Sequence, residues 1–359
     1  MWKPDEPYND LPEPPVDNLE TRSVLKATTE ARAGLAALDQ AVHRLPNPSI
    51  LLNAVVLLEA QASSEIENIV TTTDELFQLA SVNSAHANPA AKETLRYREA
   101  LYVGIRELET RPISSSMATQ VCTSVNGRET TVRELPGTFI GDPVNHTERY
   151  TPPEGPELIT DKLQAWGDFI HGEHGLDPLV TMAVAHYQFE AIHPFPDGNG
   201  RTGRILNILM LMEAELLRVP VLYLSRYIIE NKNDYYRLLL EVTKENSWEA
   251  WNLFMLEGVR STSLLTLDLI DKIQVLQTDL RSRLRERTTA GANSDFLDLL
   301  FEKPYCRIID VVERCGVSRP TASKWLNELE SESLLQSLKI GRDRLFINVP
   351  LMRTLSRRD

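Results

Sequence analysis

A chain of 359 residues, 42% hydrophobic and 25% charged, can bury two or three domain cores and is too apolar to be disordered. Its net charge of −13 excludes a surface basic enough to coat nucleic acid throughout, while a local basic patch stays compatible with it. Cys122, Cys306 and Cys315 stand at no metal-ligand spacing, Met1 to Asp5 open no apolar leader, and no run reaches the ~20 apolar residues of a membrane span. The expectation is a cytoplasmic protein with free thiols and no membrane contact.

Residues 1–20 are proline-rich (Pro4, Pro7, Pro12, Pro14, Pro15) and lack helical periodicity, which predicts an extended arm. From 21 to 110 apolar residues recur at helical spacing. Leu25, Leu35, Leu38, Val42 and Leu45 make one stripe, and Leu51, Leu52, Val55, Val56, Leu58 and Ile66 the next, with Pro46 and Pro48 between them. The section 111–285 is predicted helical as well, except from Arg133 to Pro153. There Gly, Pro and β-formers point to an irregular loop or hairpin. Helices are predicted over Met182–Glu190 and Ile205–Met212, on either side of a glycine-rich loop. After a linker holding Gly291 and Asn293, the section 286–359 reads as a winged helix-turn-helix. A short helix stops at Gly316, a second is capped by Ser318 with Pro320 in its first turn, and two strands follow near Leu334–Leu338 and Arg344–Asn348. Residues 303–359 carry 11 Lys and Arg against 7 Asp and Glu. Contact with DNA through Arg319, Lys324, Arg342 and Arg344 is one expectation for this module, and protein docking or dimerisation the other.

The chemistry concentrates in His193-Pro194-Phe195-Pro196-Asp197-Gly198-Asn199-Gly200-Arg201-Thr202-Gly203-Arg204. Prolines and glycines leave backbone N–H groups unpaired, and the helix that follows adds its free donors and partial positive charge, which together make an anion site. Arg201 and Arg204, three apart on one helical face, can grip phosphate oxygens. Asp197 offers a hard oxygen to Mg²⁺. His193 supplies a base that titrates near neutrality. Gly198, Gly200 and Gly203 also match the GxGxxG dinucleotide fingerprint, but that motif must follow a β-strand, and here a helix precedes it.

His193 to Arg204 resembles the signature of the Fic family, HxFx(D/E)GNGRxxR, at every specified position. The resemblance implies a mainly α fold: a Fic-type helical core with a small β-hairpin flap, joined to the C-terminal winged helix-turn-helix. The expected organisation is the arm over 1–20, an N-terminal helical region with an inhibitory helix over 21–110, the catalytic domain over 111–285, and the winged helix over 286–359. The implied activity is transfer of AMP from ATP, with Mg²⁺, to a Ser, Thr or Tyr hydroxyl of a target protein. His193 would be the base, Phe195 the anchor of the loop and Asp197 the metal ligand. Gly198 to Arg204 would hold the phosphates, with Asn199 lending its side chain and Arg201 and Arg204 taking the β- and γ-phosphates. Related Doc-type kinases carry lysine at the second motif glycine, whereas this chain keeps Gly200, which favours AMP transfer.

Ser63-x-x-x-Glu67-Asn68 resembles the family's inhibitory pattern, (S/T)xxxE(G/N). A carboxylate from Glu67 paired with Arg204 would occupy the place of the γ-phosphate. The same glutamate could instead orient a water that removes AMP from a modified target. Leu224 to Lys232 with Tyr235 and Tyr236 resembles the adenine-pocket region, where Glu230, or else Asn231, would read the base edge and Tyr235 would stack. A target segment is expected to dock on the flap near 133–153, and a homodimer is expected. The competing reading is a DNA-binding regulator that senses nucleotide with the same core.

Overall fold

A computed structural model describes residues 2–81, 88–142, 147–291, 293–340 and 343–356. Residues 143–146 of the expected hairpin and Arg342 of the expected basic patch lie outside it.

Helices form where caps and apolar stripes coincide. α1 (Arg22–His43) is opened by Thr21, whose side chain accepts from the Val24 N–H, and buries Val24, Leu35, Leu38 and Val42. α2 (Ser49–Ile66), α3 (Thr73–Ser81), α4 (Pro89–Leu108) and α5 (Ser115–Asn126) follow, the last running from a Ser114 cap to a left-handed Gly127. A short antiparallel pair, β1 (Ile140–Asp142) and β2 (Thr147–Tyr150), stands out from these helices.

Next come α6 (Pro156–Ile170), α7 (Pro178–Ile192) and α8 (Asn199–Glu213). Both α7 and α8 are buried almost all round, as expected of helices at the centre of a core rather than on its surface. α9 (Leu224–Glu230), α10 (Lys232–Glu245) and the 40-residue α11 (Trp248–Arg287) complete the central part, and α1 packs against α11.

The C-terminal part holds α12 (Ser294–Glu302), β3 (Tyr305–Arg307), α13 (Ile308–Cys315), α14 (Arg319–Ser331), β4 (Gln336–Ile340), β5 (Asp343–Ile347) and α15 (Val349–Ser356). The expected two-stranded wing is β4 with β5, but β3 adds a third strand on the far side of β5. Tyr305 and Cys306 are fully buried, so this three-residue strand closes the small core, and it is too short to show a period in the sequence.

Two contacts matter for the site. α12 packs on α2, where Asn47 Nδ2 donates to Glu302 Oε1 at 2.6 Å, and Tyr305 hydrogen-bonds Asp74 at α3. The N-terminal arm lies behind the hairpin: the Tyr8 N–H donates to the Thr151 carbonyl at 3.0 Å, and Trp2 stacks on Tyr150 at 6.4 Å. Among the described residues α2 alone is long and apolar enough to cross a membrane by length and composition, which its sequence had not suggested. It is instead an interior helix, with 78% of its residues buried, including the carboxylate of Glu59.

Candidate active site

The glycine-rich loop joins α7 to α8 and is held from four sides. Asp177 caps α7 by accepting from the Leu179 N–H, and Pro178 occupies its first turn. His193 ends that helix in the left-handed region, φ 48°, a conformation uncommon outside Gly and Asn and concentrated at functional sites. Arg133 holds it there. Its Nε donates to the His193 carbonyl at 2.8 Å, its Nη2 reaches the Ile192 carbonyl at 3.3 Å and also bonds the Pro153 carbonyl, and its own N–H donates to the Pro194 carbonyl at 2.9 Å. Phe195 is completely buried and anchors the turn. Asn126 Nδ2 donates to the Asp197 carbonyl at 3.0 Å from α5.

Asn199 differs from its expected part. Its Oδ1 accepts from the Phe195 N–H at 2.9 Å and its Nδ2 donates to the Phe195 carbonyl at 2.7 Å. The side chain clips the loop shut, so it is committed to shape rather than free for a phosphate.

A cavity of about 710 Å³ opens beside this loop, between the hairpin and α10. It brings together His193, Glu67, Gly200, Arg204 and Tyr235 from distant places in the sequence. Arg204 is buried and engaged by the end of α2: its Nη2 donates to Glu67 Oε1 at 2.7 Å and to the Ser63 carbonyl at 2.9 Å, and its Nε to Ser63 Oγ at 2.8 Å. Burial would raise the Glu67 carboxyl, but Arg204, with Arg201 adding to it, holds the carboxyl below the ordinary range. Glu67 is therefore an anion at neutral pH. Gly200 leaves room for this contact: a Cβ there would stand 2.2 Å from Glu67 Oε1 and 2.9 Å from Arg204 Nη1, so one of the two side chains would have to shift.

The rest of the inhibitory pattern explains how Glu67 is aimed. α2 stops at Ile66, and Asn68 turns the chain at φ 63°, which only Gly or Asn adopts readily. Lys232 Nζ caps the helix end, donating to the Ile66 carbonyl at 2.6 Å and to Asn68 Oδ1 at 3.4 Å. One turn before Ser63, the buried Glu59 accepts from Tyr97 at 2.9 Å and from the Ser225 N–H at 2.9 Å, pinning α2 to α4 and α9.

The other expected site residues stand off the cavity wall. Arg201 is buried against Glu93, at 2.6 Å, with Asp197 at 3.6 Å. Asp197 keeps an exposed carboxylate at the loop's mouth. Thr202 and Gly203 are buried in α8, and Gly198 lies in the turn that opens it. Glu230, expected to read the adenine edge, does not line the cavity that holds His193 and Arg204: it pairs with Arg226 at 2.5 Å on a separate cavity between α2, α9 and α11. The reason is helical phase. The chain breaks at Asn231 between α9 and α10, so Glu230 and Tyr235 face different sides. In the winged module Arg344 donates to Asn327 Oδ1 at 2.9 Å and pairs with Glu330, and Lys324 lies 3.8 Å from Glu328.

The expected base, His193, is shifted. Burial, and then the positive charge of Arg133, bring His193 down to about 4, so the imidazole is neutral at pH 7 and can accept a proton. Residues that sequence reasoning passed over are Arg133, Glu93 and Glu190. Glu190 had a signal: it is an acid on a helix with no polar face.

Comparisons with known proteins agree on one family. Residues 25–106 match "Fic/DOC family N-terminal", residues 123–211 match "Fic/DOC family", and residues 276–351 match "Protein adenylyltransferase SoFic-like, C-terminal domain". The protein adenylyltransferase fic-1 of Caenorhabditis elegans is 37% identical over 93 residues, 25% of this chain and 17% of that one. A probable protein adenylyltransferase of Aquifex aeolicus is 36% identical over 80 residues, 22% of this chain and 25% of that one. The chain thus spans a quarter or less of the length of these curated relatives. Among solved structures, a Fic family protein from Desulfovibrio desulfuricans G20 superposes with a TM-score of 0.57 at 18% identity, over 91% of this chain and 96% of that one. Fic-1 from C. elegans gives 0.51 at 18% identity, over 71% and 74%. These two likenesses show a shared fold.

Proposed function

The chain belongs to the Fic/DOC family, and on that premise we propose that it is an autoinhibited protein adenylyltransferase. The target hydroxyl gives its proton to the neutral His193 ring while its oxygen attacks the α-phosphorus of ATP. The bond from that phosphorus to the bridging oxygen breaks, pyrophosphate leaves, and AMP stays on the target as a phosphodiester. The Gly200 backbone and the N-terminus of α8 stabilise the phosphates, and Tyr235 and Tyr236 form the apolar wall for the adenine.

The single observation that carries the autoinhibited form is the 2.7 Å pair of Glu67 with Arg204, in the cavity that also holds His193. A γ-phosphate needs the same guanidinium, so triphosphate and Glu67 exclude each other. Asp197 fits a Mg²⁺ role in donor type: a hard, exposed carboxylate at the loop's mouth, with Arg201 as its ionic neighbour among the described residues. The metal would neutralise phosphate charge when bound. Ile140 and Gly141 place the edge of β1 at the cavity, where an extended target segment would add main-chain hydrogen bonds.

The test is incubation with α-labelled ATP and Mg²⁺. Label is expected in Glu67→Gly and absent from Glu67→Gly combined with His193→Ala, with intact mass reporting AMP adducts. Labelling that does not depend on His193, or none in either protein, overturns the reading.

A further inference from the structure

Among the described residues Arg204 donates only to α2 and its C-terminal cap, through Ser63 and Glu67. When Glu67 withdraws, a buried guanidinium is left without counter-charge, a state proteins avoid. Among the described residues the cavity wall holds one other carboxylate, Glu190 on α7. Its Oε1 is buried, has no hydrogen-bond partner, and presses on α8 so closely that a Cβ on Gly203 would stand 2.7 Å from it. A buried carboxylate oxygen with nothing to accept from is uncommitted in the latched state.

We propose that Glu190 is the alternate counter-ion of Arg204, carrying the negative charge when Glu67 has withdrawn and taking up one proton from solvent when a triphosphate arrives. The proposal rests on the nucleotide reading above and makes Glu190 a positioning residue rather than a group that touches the reacting atoms. The charges around it support the exchange. Burial lifts Glu190 to about 7, Arg204 acts to lower it, and Glu67 acts to raise it. Withdrawal of Glu67 therefore ionises Glu190, and the negative charge of a triphosphate reverses that.

The other groups facing the cavity do not exchange protons near pH 7. Burial takes His193 to about 4 and lifts Tyr150, Tyr187, Tyr235 and Tyr236 far above neutrality, and it takes His186, which lies beside Gly203 with Glu190, to about 3. Arg149 of β2 and Arg237 of α10 stand on the same cavity wall.

The experiment is calorimetric titration with Mg²⁺ and α,β-methylene-ATP at pH 7, in two buffers of different ionisation heat. Glu67→Gly is expected to take up roughly half to one proton per nucleotide more than Glu67→Gly combined with Glu190→Gln. The comparison cancels protons exchanged by the nucleotide itself. Equal uptake overturns the proposal while leaving the nucleotide site standing. No binding to Glu67→Gly removes both readings. Should the Glu190 variant fail to fold, the single variant still tests the idea: its affinity should fall as pH rises from 6 to 8, approaching tenfold per unit above the midpoint, and a flat profile refutes it.

Discussion

Replacing Glu67 by glycine is the sharpest perturbation of this protein. It removes the charged partner of a buried guanidinium and leaves the two bonds to Ser63, at 2.8 and 2.9 Å. A charge-assisted hydrogen bond contributes about 1.5–3 kcal/mol. The Glu67 side chain is 34% exposed, so solvent screening places it at the lower end, about 1.5–2 kcal/mol. At 1.4 kcal/mol per factor of ten, roughly 10- to 30-fold more enzyme would present a free Arg204. Incorporation of label from α-labelled ATP should rise by that factor. Because the freed guanidinium stays buried, the nucleotide-free variant should melt a few degrees lower, and ATP with Mg²⁺ should restore it more than it raises the wild type. Unchanged labelling in a folded variant, or a gain in thermal stability with no gain in labelling, would refute the latch.

Gly200→Ala introduces a methyl where 2.2 Å separates its Cβ from Glu67 Oε1, so the Glu67 carboxylate must shift, and the same methyl intrudes on the proposed phosphate path. Lower thermal stability without any rise in labelling is expected, in contrast to Glu67→Gly. Arg133→Met deletes the side-chain bonds that hold His193 in its left-handed conformation, and in the Glu67→Gly background activity should drop ~10-fold or more through kcat, read by steady-state kinetics. The His193 proton sets the acid limb of the pH–rate profile of Glu67→Gly well below the usual 6.5 of histidine, because burial and Arg133 lower it and the substitution removes a carboxylate that raises it. Since folding depresses this pKa, the contribution of a neutral His193 to stability is complete above about 6.5 and is lost as pH falls towards 4, which acid melts can follow.

What the linear chain determined is whatever depends on near neighbours. The twelve residues from His193 to Arg204 carry base, carboxylate, glycines and cations within one turn and the start of one helix, so local backbone geometry alone brings them together. Caps and apolar stripes likewise marked α1, α2, α13 and α14, because helices answer to side chains three and four residues apart. Tertiary structure decided what each side chain faces. Glu67 meets Arg204 across 137 positions, and the motif that flags it says nothing of Lys232 or Glu59, which aim and pin the helix. Asn199 and Asp197 sit two residues apart, and packing against Phe195 sends one inward to lock the loop while the other stays exposed. Glu230 and Tyr235 read alike as pocket residues, until a break at Asn231 turned them to opposite sides. Glu190 looked like one more residue before the loop, and only burial without a partner makes its charge conditional, since an unpaired carboxylate out of water ionises only when a neighbouring cation demands it.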